Sequence, residues 1–105
     1  MPPSINGCYI PVNRARHFAK RASPQEVYEV LENNESPPLW IRTKSVGRSP
    51  AYLVYGRTEE GRYLLIPGVV FSEPPLKNMF MPATVRTMTS GERDYYSQNM
   101  KGGLE

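Results

Sequence analysis

Apolar positions in this chain recur first at helical spacing and then at strand spacing. Val27, Val30 and Leu31 share one side of a helix, behind Ser23-Pro24-Gln25-Glu26. Ser23 suits the cap, Pro24 the first helical position, and Glu26, three residues after the cap, completes a capping box. A helix of roughly ten residues from Pro24 is therefore predicted, with that face buried. Asn33-Asn34 ends it and Pro37-Pro38 forbids its continuation. A shorter helix is predicted over Asn13 to Lys20, with Ala15, Phe18 and Ala19 facing inward.

From Leu39 onward the pattern is that of strands. Leu39 to Thr43 is short, and Ala51 to Thr58 is rich in β-formers. Glu59-Glu60-Gly61 makes a tight connection to Arg62–Phe71, which reads as a hairpin. Pro67-Gly68 implies a bulge, an edge or a break in that second strand. Ser72 to Asn78 is a loop, and Met79 to Met88 is the last strand, with Pro82 favouring an edge or an early end to regular pairing. Thr89-Ser90-Gly91-Glu92 forms a second capping box and opens a short helix to about Gln98. Together these elements predict an α+β domain: two N-terminal helices, a mostly antiparallel three- to four-stranded sheet and a short C-terminal helix.

Composition narrows the function classes. A length of 105 residues suits a single domain, and 39% hydrophobic with 22% charged residues fits neither disorder nor a membrane protein. No apolar run approaches the ~20 residues of a membrane span and no signal-peptide pattern opens the chain, so a cytoplasmic protein is expected. One cysteine, Cys8, and one histidine, His17, exclude a disulfide framework and a multi-cysteine zinc site, and no cofactor is expected. Leu104 and Glu105, after Gly102-Gly103, read as a vector-derived remnant. The net charge is only +3, but its distribution is uneven. Arg14, Arg16, Lys20 and Arg21 precede any carboxylate, and Glu26, Glu29, Glu32 and Glu35 then follow in a cluster. Two surfaces with different partners are one reading; ordinary solvated faces are the other.

Three stretches resemble the BrnT-type toxins of bacterial type II toxin–antitoxin modules, in a short variant. HFAKRASPQEVYEVL is similar to the family's basic helix, turn and helix start, and YLVYGRTEEGRYLLI to its central hairpin. VRTMTSGERDYY is similar to the family's closing pattern at Arg86, Met88, Thr89, Glu92, Arg93 and Tyr96. The resemblance implies a RelE/ParE-like fold and a ribonuclease that inhibits translation. It further implies neutralisation by a ribbon-helix-helix antitoxin, with a heterotetramer as one form of the complex. Where the family commonly carries Lys-His-Gly, this chain has Lys20, Arg21 and Ala22; His17 has its counterpart in the short variants.

Metal-free RNA cleavage needs a base for the 2′-hydroxyl, cations for the phosphorane and an acid for the leaving oxygen. His17 is the candidate base, because histidine ordinarily titrates near neutrality. Arg57, Arg62 and Arg86 are candidate phosphate clamps through the guanidinium fork. Of these, Arg62 and Arg86 join His17 as catalytic candidates, while Arg57 joins Arg14, Lys20, Arg21, Arg93 and Tyr95 as RNA-binding candidates. Tyr95 and Tyr96 offer stacking, although Tyr96 and Met88 also fit a core. Glu92 is explained by capping alone, and Arg93 by a pair with Glu26 or Glu29 joining two helices. Two alternatives stand beside a toxin-like ribonuclease. One is a non-catalytic RNA- or protein-binding member of the same fold; the other is an interaction protein using a strand edge near Pro67 or Pro82.

Overall fold

The computed structural model describes residues 3–104, with side chains through residue 99, so the proposed remnant falls partly outside the described residues at Glu105. The fold is α+β. Its order is β1 (Gly7–Cys8), α1 (Val12–Phe18), α2 (Pro24–Glu32), β2 (Leu39–Arg42), β3 (Ala51–Arg57), β4 (Tyr63–Val70), β5 (Met79–Pro82), β6 (Arg86–Thr87) and α3 (Ser90–Leu104).

The strands form one sheet in the order β1-β5-β4-β3-β2, and β6 also pairs with β4. Every pairing is antiparallel except β1 with β5. β5 and β6 are the two parts of the single last strand read from the sequence. Both pair with β4, β5 at Gly68–Val70 and β6 at Leu64–Leu65. Regular pairing stops at Pro82, where a break was expected, and resumes at Arg86.

Four elements differ from expectation. β4 runs unbroken through Pro67-Gly68, with no bulge and away from any edge: Pro67 and Gly68 pair with Leu53 and Tyr52 of β3, and Gly68 also pairs with Pro82 of β5, so Pro67 offers no strand edge to a partner. β1 went unforeseen, because two residues of parallel pairing leave no local pattern. α1 stops at Phe18, and Ala19 is exposed rather than inward. α3 runs to Leu104, beyond the expected end at Gln98.

Two cores lie on the two faces of the sheet. On one, Phe18, Ala22, Val27 and Val30 pack against Val54, Leu64, Ile66 and Phe80. The capping box of α2 is present in both directions: Ser23 Oγ accepts from the Glu26 N–H, and Glu26 Oε1 from the Ser23 N–H. α2 comes so close to β3 that a Cβ on Gly56 would lie 2.4 Å from Val30 Cγ1. On the other face, Met88 and Tyr96 pack on Leu65, with Leu39, Leu53, Tyr55 and Tyr63 around them. The helices α2 and α3 thus grip opposite faces of one hairpin, and both approach the end where β3 turns into β4.

Candidate functional site: a guanidinium–tyrosine cluster at the hairpin end

The turn between β3 and β4 is built around Thr58, a buried polar residue. Its N–H donates to the Arg62 carbonyl at 2.9 Å, and its hydroxyl accepts from the Arg62 N–H at 3.0 Å. Gly61 supplies the positive φ (+96°) that this return requires. The turn fixes Arg57 opposite Tyr63 in the β3–β4 register, which puts both side chains on the α3 face.

There the Arg57 guanidinium lies 5.2 Å from the centre of the Tyr63 ring, and Arg93 of α3 lies 4.6 Å from the same ring. The ring is held in place by an edge contact with Tyr96, whose hydroxyl donates to the Ser36 and Pro37 carbonyls. Neither Arg57 nor Arg93 has a carboxylate within ion-pair distance among the described residues. Arg57 Nε is buried without a hydrogen-bond partner among them, an arrangement that costs about 1–3 kcal/mol. Beside the cluster is a cavity of about 260 Å³ lined by Gly61, Arg62, Tyr63, Thr87, Met88 and Arg93. Its polar side chains are two guanidiniums and two hydroxyls, with no carboxylate. Two unpaired cations on one aromatic ring, next to a donor-lined hollow, concentrate positive charge of the kind that attracts an anion.

The other arginine candidates are already engaged. Arg86 holds Glu92 with both terminal nitrogens, at 2.7 and 2.6 Å. Glu92 also accepts from the Thr89 N–H at 2.9 Å, while its own N–H donates to the Thr89 hydroxyl. The predicted capping box therefore exists, and the arginine thought free for phosphate completes it. Arg86 and the Thr89 N–H hold the Glu92 carboxyl down to about 2, and the same contact raises Arg86. Arg62 pairs with Glu26 of α2 and donates to the Arg21 carbonyl at 2.6 Å. Glu26 is thus taken by Arg62 and not by Arg93, and Glu29 accepts instead from the Glu59 N–H.

His17 is exposed on α1 and makes no hydrogen bond or ion pair among the described residues. The three catalytic candidates are not drawn together: Arg62 ties to α2 on one face of the sheet, Arg86 to α3 on the other. Arg14 reaches the Ala83 carbonyl and Arg21 the Thr84 hydroxyl, at 3.5 and 3.3 Å, so α1 and its following turn lie along the gap between β5 and β6. Lys20 is exposed. Tyr95 is 40% exposed and leans on Tyr55, with ring centres 5.4 Å apart.

Tyr63 is the site residue that the sequence reading missed. The hairpin register alone places it opposite Arg57, so a strand-pairing argument from the Glu59-Glu60-Gly61 turn would have found it. Among the described residues no group of three or more histidine, cysteine, aspartate or glutamate side chains is arranged to hold a metal, and no helix is long and apolar enough to cross a membrane. No protein-family model matches this chain, and no curated protein matches it.

Proposed function

We propose that this chain is a toxin-like ribonuclease of a type II toxin–antitoxin module, cutting RNA without a metal and thereby inhibiting translation in the cytoplasm. The observation that carries the RNA reading is the pair of unpaired guanidiniums, Arg57 and Arg93, on the Tyr63 ring. A phosphate beside that ring meets charge from both arginines, and an unstacked base can use the neighbouring aromatic surface. The stretch VRTMTSGERDYY, with its resemblance to the BrnT-type closing pattern, supports the toxin class. In this reading His17 supplies the base, and Arg14, Lys20 and Arg21 extend the basic surface along which RNA lies. The partner is a ribbon-helix-helix antitoxin that covers the basic surface.

The test is induced expression in a bacterial host, together with incubation of the purified protein with RNA in a chelator. Growth arrest, relieved by a ribbon-helix-helix protein encoded next to it, and cleavage that survives the chelator are the expected results. Cleavage lost in His17→Ala with RNA binding kept would assign the base. Normal growth and intact RNA would remove the ribonuclease reading.

A second reading, a non-catalytic RNA-binding member of the same fold, is favoured by one observation. Arg62 and Arg86 already hold carboxylates, and neither hydrogen-bonds or pairs with His17. Intact RNA retained by the protein, in the same experiment, is its signature.

A further inference from the structure

We infer that β2 is a self-pairing edge, on which a second copy of this chain docks its own β2 as an antiparallel strand centred on Ile41. β2 ends the sheet: β3 lies on one side of it and no strand among the described residues on the other. The ladder shows where its free groups point. The Thr43 N–H donates to the Ala51 carbonyl at 2.9 Å, so these two residues face each other in a hydrogen-bonded pair. Hydrogen-bonded and open pairs alternate along an antiparallel ladder, which makes Ile41–Leu53 and Leu39–Tyr55 hydrogen-bonded as well. Trp40 and Arg42 occupy the open positions between them. Their N–H and C=O groups point away from the sheet, and nothing among the described residues bonds to them.

A second copy fits this edge because the outward residues complement themselves in reverse order. Trp40 set against its own copy would place Arg42 opposite Pro38, which has no N–H to give. Arg42 set against its own copy would bring two guanidiniums face to face, and like charges directly opposite destabilise a strand pair. In the register centred on Ile41, Trp40 of each copy faces Arg42 of the other. Each strand then uses both outward N–H groups and both outward carbonyls, and no like charges meet. Arg42 already lies over one aromatic ring, 5.8 Å from the centre of Tyr52, and this register brings the indole of the other copy within its reach. Such reciprocal contacts are what a two-fold interface requires.

The side chains on the other face agree. Ile41 is half-buried on the α3 face, in line with Leu53, and is not covered by its own chain. Across the axis it meets Ile41 of the second copy in an open pair, where facing Cα atoms are about 4.5 Å apart and side chains are closest. Arg42 is the one charge in the strand and blocks only the register that opposes it to itself, so it selects a pairing and does not protect the edge outright. Pro38 stops the pairing from extending. A strand of four residues makes a small interface, so the dimer forms and dissociates with concentration.

Sedimentation of the purified protein over a wide concentration range tests the pairing. The mass should rise from that of the monomer towards twice that value. Arg42→Pro removes an outward N–H and leaves the ladder with β3 intact, so the variant should keep the parent's circular dichroism and lose the dimer at every concentration. A second pair of variants reads the register and does not depend on that proline being accommodated. In a Cys8→Ala background under mild oxidation, Ile41→Cys should cross-link into a dimer, because its Cα spacing across the axis suits a disulfide. Val46→Cys, 65% exposed in the β2–β3 connection, is the control and should lag well behind. A parent that stays monomeric throughout would overturn the self-pairing edge. So would a dimer that persists in folded Arg42→Pro, or an Ile41→Cys protein that cross-links no faster than Val46→Cys.

Discussion

At the scale of single residues, the main lesson is the partner that Arg86 keeps. The sequence shows Arg86, Thr89 and Glu92 as a motif and identifies the capping box, because a cap is local. It does not show that the β6 arginine reaches over to the same carboxylate, since that depends on how α3 lies on the sheet. The pair is half open to solvent, with Arg86 43% and Glu92 22% exposed, so its contribution to stability is at most about 1 kcal/mol. Its pH dependence follows from Glu92, whose carboxyl is held at about 2 against an ordinary 4.5. A carboxylate lowered by folding stabilises the native state above its unfolded value, and that stabilisation is lost as the pH falls from about 4.5 towards 2. Arg86→Ala should thus be less stable than the parent at neutral pH, with the difference shrinking towards pH 2; chemical denaturation across that range measures it. A constant difference would place the arginine's role elsewhere. Cys8 offers a second check. Burial pushes its thiol up to about 12, so it should react with a thiol reagent at pH 8 far more slowly than a free cysteine does.

At the scale of elements, the legible parts are those with signals inside a few residues. The Ser23–Glu26 box, the 3.6-residue spacing of Val27, Val30 and Leu31, and the Glu59-Glu60-Gly61 turn each carry their own evidence, and each element formed. β1 and the true end of α3 were not legible. β1 exists only because β5 offers an edge to Gly7 and Cys8, and α3 past Tyr96 has little apolar pattern to mark its length. α2 seats closely on β3, where Gly56 leaves room for Val30. Gly56→Ala should cost about 1–3 kcal/mol by overpacking. Val30→Asp should cost several kcal/mol, through lost burial and an unpaired buried charge. Thermal or denaturant unfolding measures both. A Gly56→Ala protein as stable as the parent would mean that helix and strand can separate without cost.

At the scale of the whole molecule, charge is sorted by the fold. The carboxylate-free N-terminal segment supplies Arg14 and Arg21 beside the gap between β5 and β6, and Arg62 reaches the Arg21 carbonyl. At the hairpin end the Glu29 carboxylate of α2 accepts from the Glu59 N–H. The sequence announced unequal charge runs; only the hairpin register and the seat of α3 bring Arg57 and Arg93 onto one ring. That cluster is where RNA docking stands or falls. Binding of a single-stranded RNA should be measured over a range of salt concentrations for the parent protein and Arg93→Ala, with folding checked by circular dichroism. If a phosphate sits at the cluster, the variant binds more weakly whatever the RNA sequence. Its plot of log affinity against log salt is also shallower by about 0.7, the change expected for one lost phosphate contact on a single strand. A folded Arg93→Ala protein with the parent's affinity and the parent's slope would contradict RNA docking at Tyr63.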